Sequence, residues 1–275
     1  MSNKSSKRFL AFPYVIWMIG FIVIPLLIVV YYGFTGDNGE FTLEHVLEII
    51  DPVHMKALGL SLVLSVISTA VCLVLAYPLA MILRNMKMKS SSFIIFIFVL
   101  PMWMNFLLRT LAWQTLLEKN GVINGLLTML HLPNMRIINT PTAVVLGMVY
   151  NFLPFMILPI YNTLVKIDNN VINAARDLGA NSAQTFYRII LPLSLPGVIS
   201  GITMVFVPSL TTFVISDILG GGKFLLIGNV IEQEFKYNSN WHVGSGLSLV
   251  LMVFIIISMA AVSKYDKDLE GTNVW

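Results

Sequence analysis

Six charge-free apolar stretches limit what this chain of 275 residues can fold into more than any other feature. They cover residues 9–32, 57–83, 90–108, 137–165, 189–216 and 243–263. A helix of roughly 20 apolar residues spans a bilayer, and each stretch reaches or approaches that length. The stretches are continuous and lack the alternation of lipid-facing strands, which favours helices over a barrel. We therefore expect an all-α membrane protein with six transmembrane helices in a single domain over residues 1–275.

Composition supports the membrane assignment, and the one candidate for a phosphate-binding loop does not match that motif. The chain is 57% hydrophobic and 11% charged, with a mean hydropathy of +0.82, which is too apolar for one soluble core. The Gly-Lys sequence at Gly222 and Lys223 is not a phosphate-binding loop, because Asp217 stands at the position of the first glycine and Phe224 at that of the Ser or Thr. We expect no ATPase site in this chain. The single Cys72 and the four scattered histidines predict no metal site.

Lysine and arginine in the segments between the stretches predict the orientation in the membrane. If both termini are cytoplasmic, 11 of the 17 basic residues lie on that side. These are Lys4, Lys7, Arg8, Arg84, Lys87, Lys89, Lys166, Arg176, Arg188, Lys264 and Lys267. The opposite side receives an acidic outer loop, residues 33–56, which contains Asp37, Glu40, Glu44, Glu48 and Asp51. We expect this loop to be a solvated face or a contact for an external protein.

A polar segment, residues 166–188, separates the fourth and fifth apolar stretches and is predicted to face the cytoplasm. Asp168 and its neighbours can cap a first helix, Gly179 can end it in a left-handed turn, and Asn181 with Gln184 can open a second. The sequence therefore predicts a helix, a tight turn and another helix. The residues expected to contact a soluble partner are Asn173, Ala174, Ala175, Arg176, Asp177, Gly179 and Arg188.

This segment, Asn173-Ala-Ala-Arg-Asp-Leu-Gly179 followed by Leu191-Pro192, resembles the cytoplasmic coupling loop of binding-protein-dependent ABC importer permeases. That family usually has Glu-Ala-Ala, then Gly, then Leu-Pro, so Asn173 replaces a charged residue. Residues 101–105 with Arg109, 147–155, 216–217 and 225–230 are similar to the spermidine/putrescine permeases of the family.

The resemblance implies a set of partners and a location. We expect two ABC ATPase subunits, which bind the ATP and magnesium, and a second permease chain that is related and non-identical. An extracytoplasmic polyamine-binding protein would deliver substrate, and nucleic acid has no part. The location implied is the bacterial inner membrane, with multiple spans.

Polyamine chemistry selects candidate residues for a substrate route. An ammonium group in a low-dielectric path needs carboxylates and aromatic faces. The candidates are Asp217, Trp103, Asn105, Tyr150, Phe213 and Glu232. For Asp217 the alternative is a helix-end carboxylate paired with Lys223, and for the aromatic residues it is packing. Arg109 would repel a cation, and we expect it to pair with Glu118.

Two other functions fit the same sequence. An importer permease for a different small solute, such as an organic phosphonate, an iron complex or an opine, would keep the coupling loop but line its route with other groups. A membrane sensor or channel subunit that does not transport would need no ATPase.

Overall fold

A computed structural model describes the backbone of residues 12–36, 38–86 and 88–271, and the side chains of all of these except 88–92, 95 and 262–271. Several residues used to predict the orientation lie outside this set. Lys4, Lys7, Arg8, Asp37 and Lys87 are among them, as are both termini.

The described residues are mostly helical, as the apolar stretches predict. The helices are α1 (Phe12–Phe34), α2 (Pro52–Asn85), α3 (Met88–Val99), α4 (Phe106–Leu117), α5 (Val122–Met129), α6 (Pro141–Lys166), α7 (Asn169–Asp177), α8 (Ser182–Thr211), α9 (Val214–Gly220), α10 (Ile227–Lys236) and α11 (Trp241–Gly271). A one-turn helix, Glu44–Leu47, and two 3-10 turns, Glu48–Ile50 and Leu100–Trp103, lie between them. The prediction of an all-helical membrane fold is confirmed for this part of the chain.

Five of these helices are long and apolar enough to cross a membrane by themselves: α1, α2, α6, α8 and α11 up to Ala261. The third apolar stretch is not one straight rod. The helical segments Phe96–Trp103 and Phe106–Met129, which begin in this stretch and continue past its end, meet at an angle of 101°, so they count as a sixth span only if taken together. Pro101 has no N–H to continue the first helix, and Asn105 caps a new one. These two residues explain the bend.

The larger compact unit, Ala57–Asn229 with Ile256–Trp275, is built around α6. Residues on several sides of α6 are fully buried, including Met148, Met156 and Ile160. Glycine allows α8 to approach α6 closely, because a Cβ atom on Gly197 would lie 2.6 Å from the carbonyl oxygen of Pro159. This close packing fixes the ends of α6 and α8, which the polar segment 166–188 connects.

The smaller compact unit, Met1–Lys56 with Val230–Ile255, contains the acidic loop 33–56. The Nδ1 atom of His54 lies 2.6 Å from the carbonyl oxygen of Glu48, which ties the loop to the start of α2. Partial burial raises the pKa of the Glu48 carboxyl, and nearby His45 and His54 oppose that shift. The predicted acidic loop is therefore a folded segment with local structure of its own.

Candidate functional site

The polar segment 166–188 has the helix, turn and helix that its sequence predicts. The Asp168 carboxylate caps α7 by accepting a hydrogen bond from Asn170 N at 2.9 Å. Gly179 ends the helix with φ +85°, and the N–H of Ala180 donates to the carbonyl of Ala175 at 3.0 Å. Together with the bond from Gly179 N to the Arg176 carbonyl, this is a Schellman motif.

A second helix begins directly after the turn. Asn181 Oδ1 accepts from Gln184 N, and Gln184 Oε1 accepts from Asn181 N, both at 2.9 Å. The two bonds form the predicted capping box at the start of α8. Arg188 follows on a π turn, Phe186–Ile190, and is exposed.

The base of α7 is attached to the rest of the unit by two features. Ile172 is 6% exposed and belongs to the hydrophobic core. The guanidinium of Arg84, at the end of α2, donates through Nη2 to the Ile167 carbonyl and to Asn169 Oδ1, each at 3.0 Å. Beyond this attachment, Leu178 is 90% exposed at the turn. The segment 166–188, called the elbow from here on, thus has an exposed turn on a base that is attached to the larger unit.

Asp217 lies just after a break in the fifth apolar stretch. Helix α8 ends at Thr211, Thr212 is extended, and α9 starts after Phe213. Asp217 is exposed, one turn from Phe213, whose carbonyl accepts from Asp217 N at 3.0 Å. The Asp217 carboxylate accepts a hydrogen bond of 2.6 Å from Asn229 Nδ2. The predicted pair of Asp217 and Phe213 is therefore brought together at this break.

Asn229 is the buried residue that organises this site, and the sequence did not single out its role. It is 1% exposed and its Nδ2 also donates to the Phe213 carbonyl at 3.2 Å. Its Oδ1 accepts from Leu226 N at 3.1 Å and from the Ser216 hydroxyl at 2.5 Å. One amide thus joins α9 and α10 and orients the carboxylate of Asp217.

The structure places Trp103, Asn105 and Tyr150 elsewhere in the larger unit. Trp103 is 77% exposed and packs edge to face on Phe96. The Asn105 side chain accepts hydrogen bonds from Leu107 N and Leu108 N and so serves as a helix cap. None of the contacts described for these two residues reaches Asp217. The described contacts therefore do not bring Trp103 and Asn105 into one cluster with Asp217.

Tyr150 packs against the side chains of α4. Its ring contacts that of Trp113, and the guanidinium of Arg109 lies 5.8 Å from its centroid. Arg109 is 7% exposed and donates to the Pro101 carbonyl at 2.7 Å. Among the described residues it forms no ion pair with Glu118, so that expectation is wrong. The Pro101 carbonyl at the bend accepts from Nη1 of the guanidinium instead, while the buried Nε atom has no partner among the described residues.

Glu232 lies on α10 and is already paired. Its carboxylate accepts a hydrogen bond from Lys236 Nζ at 2.6 Å, and the side chain is 15% exposed. The lysine four residues later balances its charge, which reduces the attraction that Glu232 offers to a cationic substrate. Its predicted role in substrate binding stays a prediction.

The long apolar helices define the class of this protein as a multi-pass membrane protein. The family described as "Binding-protein-dependent transport system inner membrane component" matches residues 2–270. The chain belongs to this family, whose members are inner-membrane transport permeases.

Curated relatives extend over most of the chain. It is 40% identical to the spermidine/putrescine transport system permease protein PotB of Haemophilus influenzae, over 97% of this chain and 96% of that protein. It is 38% identical to PotB of Escherichia coli K12, over 86% of this chain and 89% of that protein.

A solved structure supports the fold. The chain matches that of a bacterial ABC transporter involved in import of the acidic polysaccharide alginate with a TM-score of 0.82 and 15% identity. The match covers 97% of this chain and 96% of that one. The fold is therefore that of an ABC transporter permease.

Proposed function

We propose that this chain is the permease subunit of an ATP-driven importer that moves spermidine or putrescine into the cytoplasm by alternating access. The observation that carries the proposal is the similarity of 38–40% over most of the chain to permeases named for these two substrates. Polyamines are flexible chains with two or more ammonium groups, so a route for them needs negative charge and aromatic surface.

Asp217 is the residue that we assign to the substrate. It lies at a break between α8 and α9, where the backbone is already irregular, and irregular backbone in membrane proteins borders protein cavities and not lipid. Asn229 holds the carboxylate in one direction through a bond of 2.6 Å, which lowers the cost of ordering it when a cation binds. Phe213, one turn away, would add an aromatic face.

The polar elbow is the part that we assign to energy coupling. In our proposal two ABC ATPase subunits, which bind the ATP and magnesium, grip the elbows of this chain and of a related second permease. Both termini and residues 166–188 would be cytoplasmic, and an external polyamine-binding protein would deliver substrate to the other side. The cap at Asp168 and the turn at Gly179 give the elbow the stiffness needed to transmit force.

The test is polyamine uptake by cells that depend on this transporter. Replacing Asp217→Asn keeps the shape of the side chain and removes its charge. We expect spermidine uptake to fall at least about 10-fold, because the substrate loses one charge-assisted hydrogen bond. The matched control is Glu118→Gln, which removes an exposed carboxylate from α4's end and should leave uptake unchanged.

Two results would contradict the proposal. Unchanged uptake and unchanged polyamine-stimulated ATPase activity in Asp217→Asn would take this residue out of the route. Absence of transporter-dependent uptake of both spermidine and putrescine by the unmodified transporter would point to a different solute.

A further inference from the structure

A polar cavity of about 380 Å³ lies behind the elbow, between α7 and the body of the larger unit. One face of α7 lines it, with Asn169, Asn173 and Arg176 spaced at three, four and seven residues. The end of α2 contributes Arg84, and the start of α8 contributes Thr185. Three helices therefore share this cavity.

The charge of the cavity is positive and has no internal balance. Two guanidinium groups, Arg84 and Arg176, line it, and none of the residues that line it is acidic. The carboxylates of the same segment, Asp168 and Asp177, are not among the lining residues. Among the residues that the structure describes, the ion pair found is Lys236 with Glu232, which belongs to the other unit. Two cations facing one polar space repel each other unless an anion lies between them.

The hydrogen-bonding groups of the cavity are mostly donors. Described residues engage Arg84 only through Nη2, so its Nε and Nη1 atoms are left to donate. Its bonds to Ile167 and Asn169 hold the guanidinium plane in place, so Nε and Nη1 are oriented to donate single charge-assisted hydrogen bonds. Asn173 adds an uncharged amide on the same face of α7 as Arg176.

We propose that this α7 cavity binds an oxyanion of phosphate size, and that the anion joins α7 to α2 and α8. Guanidinium groups bind planar or tetrahedral oxyanions through paired, charge-assisted hydrogen bonds. The two arginines, with no acidic side chain among the lining residues, exclude a cation. The anion comes either from free phosphate or from the headgroup of an anionic lipid, and it stiffens the base of the elbow when bound.

The test measures thermal unfolding of the purified full transporter complex with inorganic phosphate at constant ionic strength, with chloride as the exchanged ion. Ligand binding to the folded state raises the melting temperature in a saturable way, and we expect a rise of about 2–4 °C. Constant ionic strength removes general charge screening as a cause.

Three variants localise the effect. Arg176→Gln removes a guanidinium group that has no described hydrogen bond. Arg84→Gln removes the guanidinium group that Ile167 and Asn169 hold in place. Each variant should weaken the apparent phosphate affinity by about 10-fold or more. Asn173→Glu places a carboxylate inside the cavity and should abolish the response, because the arginines then have an internal partner. Arg188→Gln is the matched control, since it removes the same charge from the same segment outside the cavity and should keep the phosphate response.

A second arm separates the two sources of the anion. The complex is placed in nanodiscs of phosphatidylcholine alone or with phosphatidylglycerol, without free phosphate. A rise in melting temperature with phosphatidylglycerol that Asn173→Glu removes identifies a lipid headgroup, and a rise with free phosphate alone identifies a soluble anion. The proposal is overturned if neither source shifts the unmodified complex, or if Asn173→Glu and Arg176→Gln respond as fully as Arg188→Gln. Neither arm uses a polyamine, so the result is independent of the proposed substrate.

Discussion

At the scale of single residues, Asn229 decides the geometry around Asp217. Its amide makes four hydrogen bonds while being 1% exposed, and two of its partners are backbone groups at chain breaks. Buried backbone groups in a membrane protein have no water to replace a lost partner. The position of the Asp217 carboxylate therefore depends on this neighbour.

Replacing Asn229→Leu keeps the volume and removes all four bonds. We expect the free energy of unfolding to fall by about 1–3 kcal/mol, because the buried Leu226 N–H loses its acceptor and the Asp217 carboxylate loses its amide donor. Thermal unfolding of the purified complex measures this loss. Spermidine uptake should fall in parallel, since the carboxylate of Asp217 is no longer oriented.

The control for Asn229 is Asn238→Ala. Asn238 is exposed and donates to Glu234 at 2.8 Å, a bond that water can replace. We expect a change within about 0.5 kcal/mol. Equal melting temperatures for Asn229→Leu and the unmodified complex would mean that the buried network contributes nothing to stability.

At the scale of elements, the turn at Gly179 is the part of the elbow most sensitive to substitution. Its φ of +85° is reached freely by glycine and with difficulty by a β-branched residue. Gly179→Val should strain or unwind the turn, at a cost of about 1–3 kcal/mol. In our proposal the ATPase subunits then copurify poorly and uptake is lost, which pull-down and uptake assays detect.

Asn is the matched substitution at this position, because its side chain tolerates the left-handed region. Gly179→Asn should therefore keep ATPase association close to normal. Space is not the issue, since no atom lies within 4 Å of a Cβ built on Gly179. Normal copurification and uptake in Gly179→Val would argue against a coupling role for the elbow.

The contact of α6 with α8 depends on another glycine. A Cβ atom at Gly197 would lie 2.6 Å from the Pro159 carbonyl oxygen and 2.8 Å from Thr163 Cβ, and backbone cannot move aside cheaply. We expect Gly197→Ala to separate the helices and to lower the free energy of unfolding by about 1–3 kcal/mol. Gly59→Ala on α2 meets no atom within 4 Å and should be neutral or slightly stabilising. If Gly197→Ala and Gly59→Ala had the same melting temperature, this packing argument would be wrong.

Sequence predicted those elements whose signals are local. Caps at Asp168 and Asn181 and the turn at Gly179 depend on neighbours within four residues, and all three are confirmed as geometry. The bend of 101° after Trp103 was not predicted, because an apolar stretch reads as continuous even where Pro101 ends the helix. The hydrophobicity of a stretch indicates how many residues can lie in the membrane, but it does not indicate whether the helix axis changes direction within the stretch.

Contacts between distant residues could not be predicted from one sequence. Arg84 bonds to groups more than 80 residues away, and Asn229 reaches Asp217 across 12 residues. The segment containing Asn229 was recognised as similar to the spermidine/putrescine permeases, but its bonding role depends on how α9 and α10 pack. The pairing expected between Arg109 and Glu118 failed for the same reason, since the nearby bend offers a carbonyl.

At the scale of the whole molecule, alternating access requires the elbow and the acidic loop to lie on opposite sides of the membrane. The distribution of basic residues predicts this arrangement, and part of that evidence lies in the termini. The chain itself allows a direct measurement. Its native Cys72 is 0% exposed, so it contributes little background to labelling by a membrane-impermeant thiol reagent.

Two single-cysteine additions report the two sides. Leu178→Cys replaces a side chain that is 90% exposed on the elbow, and Tyr237→Cys one that is 78% exposed after α10. We expect intact cells to label Tyr237→Cys and inverted vesicles to label Leu178→Cys, each with at least about 10-fold selectivity, because the bilayer core of about 30 Å excludes the charged reagent. Thiol labelling followed by gel detection measures both.

The same variants test the coupling proposal, since a docked ATPase would cover the elbow. Vesicles that contain the ATPase subunits should label Leu178→Cys several-fold more slowly than vesicles from which these subunits have been stripped, whereas the labelling rate of Tyr237→Cys from outside should not change. If Leu178→Cys were labelled in intact cells, the predicted orientation would be wrong and no cytoplasmic motor could reach the elbow. If Leu178→Cys were labelled at the same rate with and without the ATPase subunits, these subunits would have to bind another part of the chain.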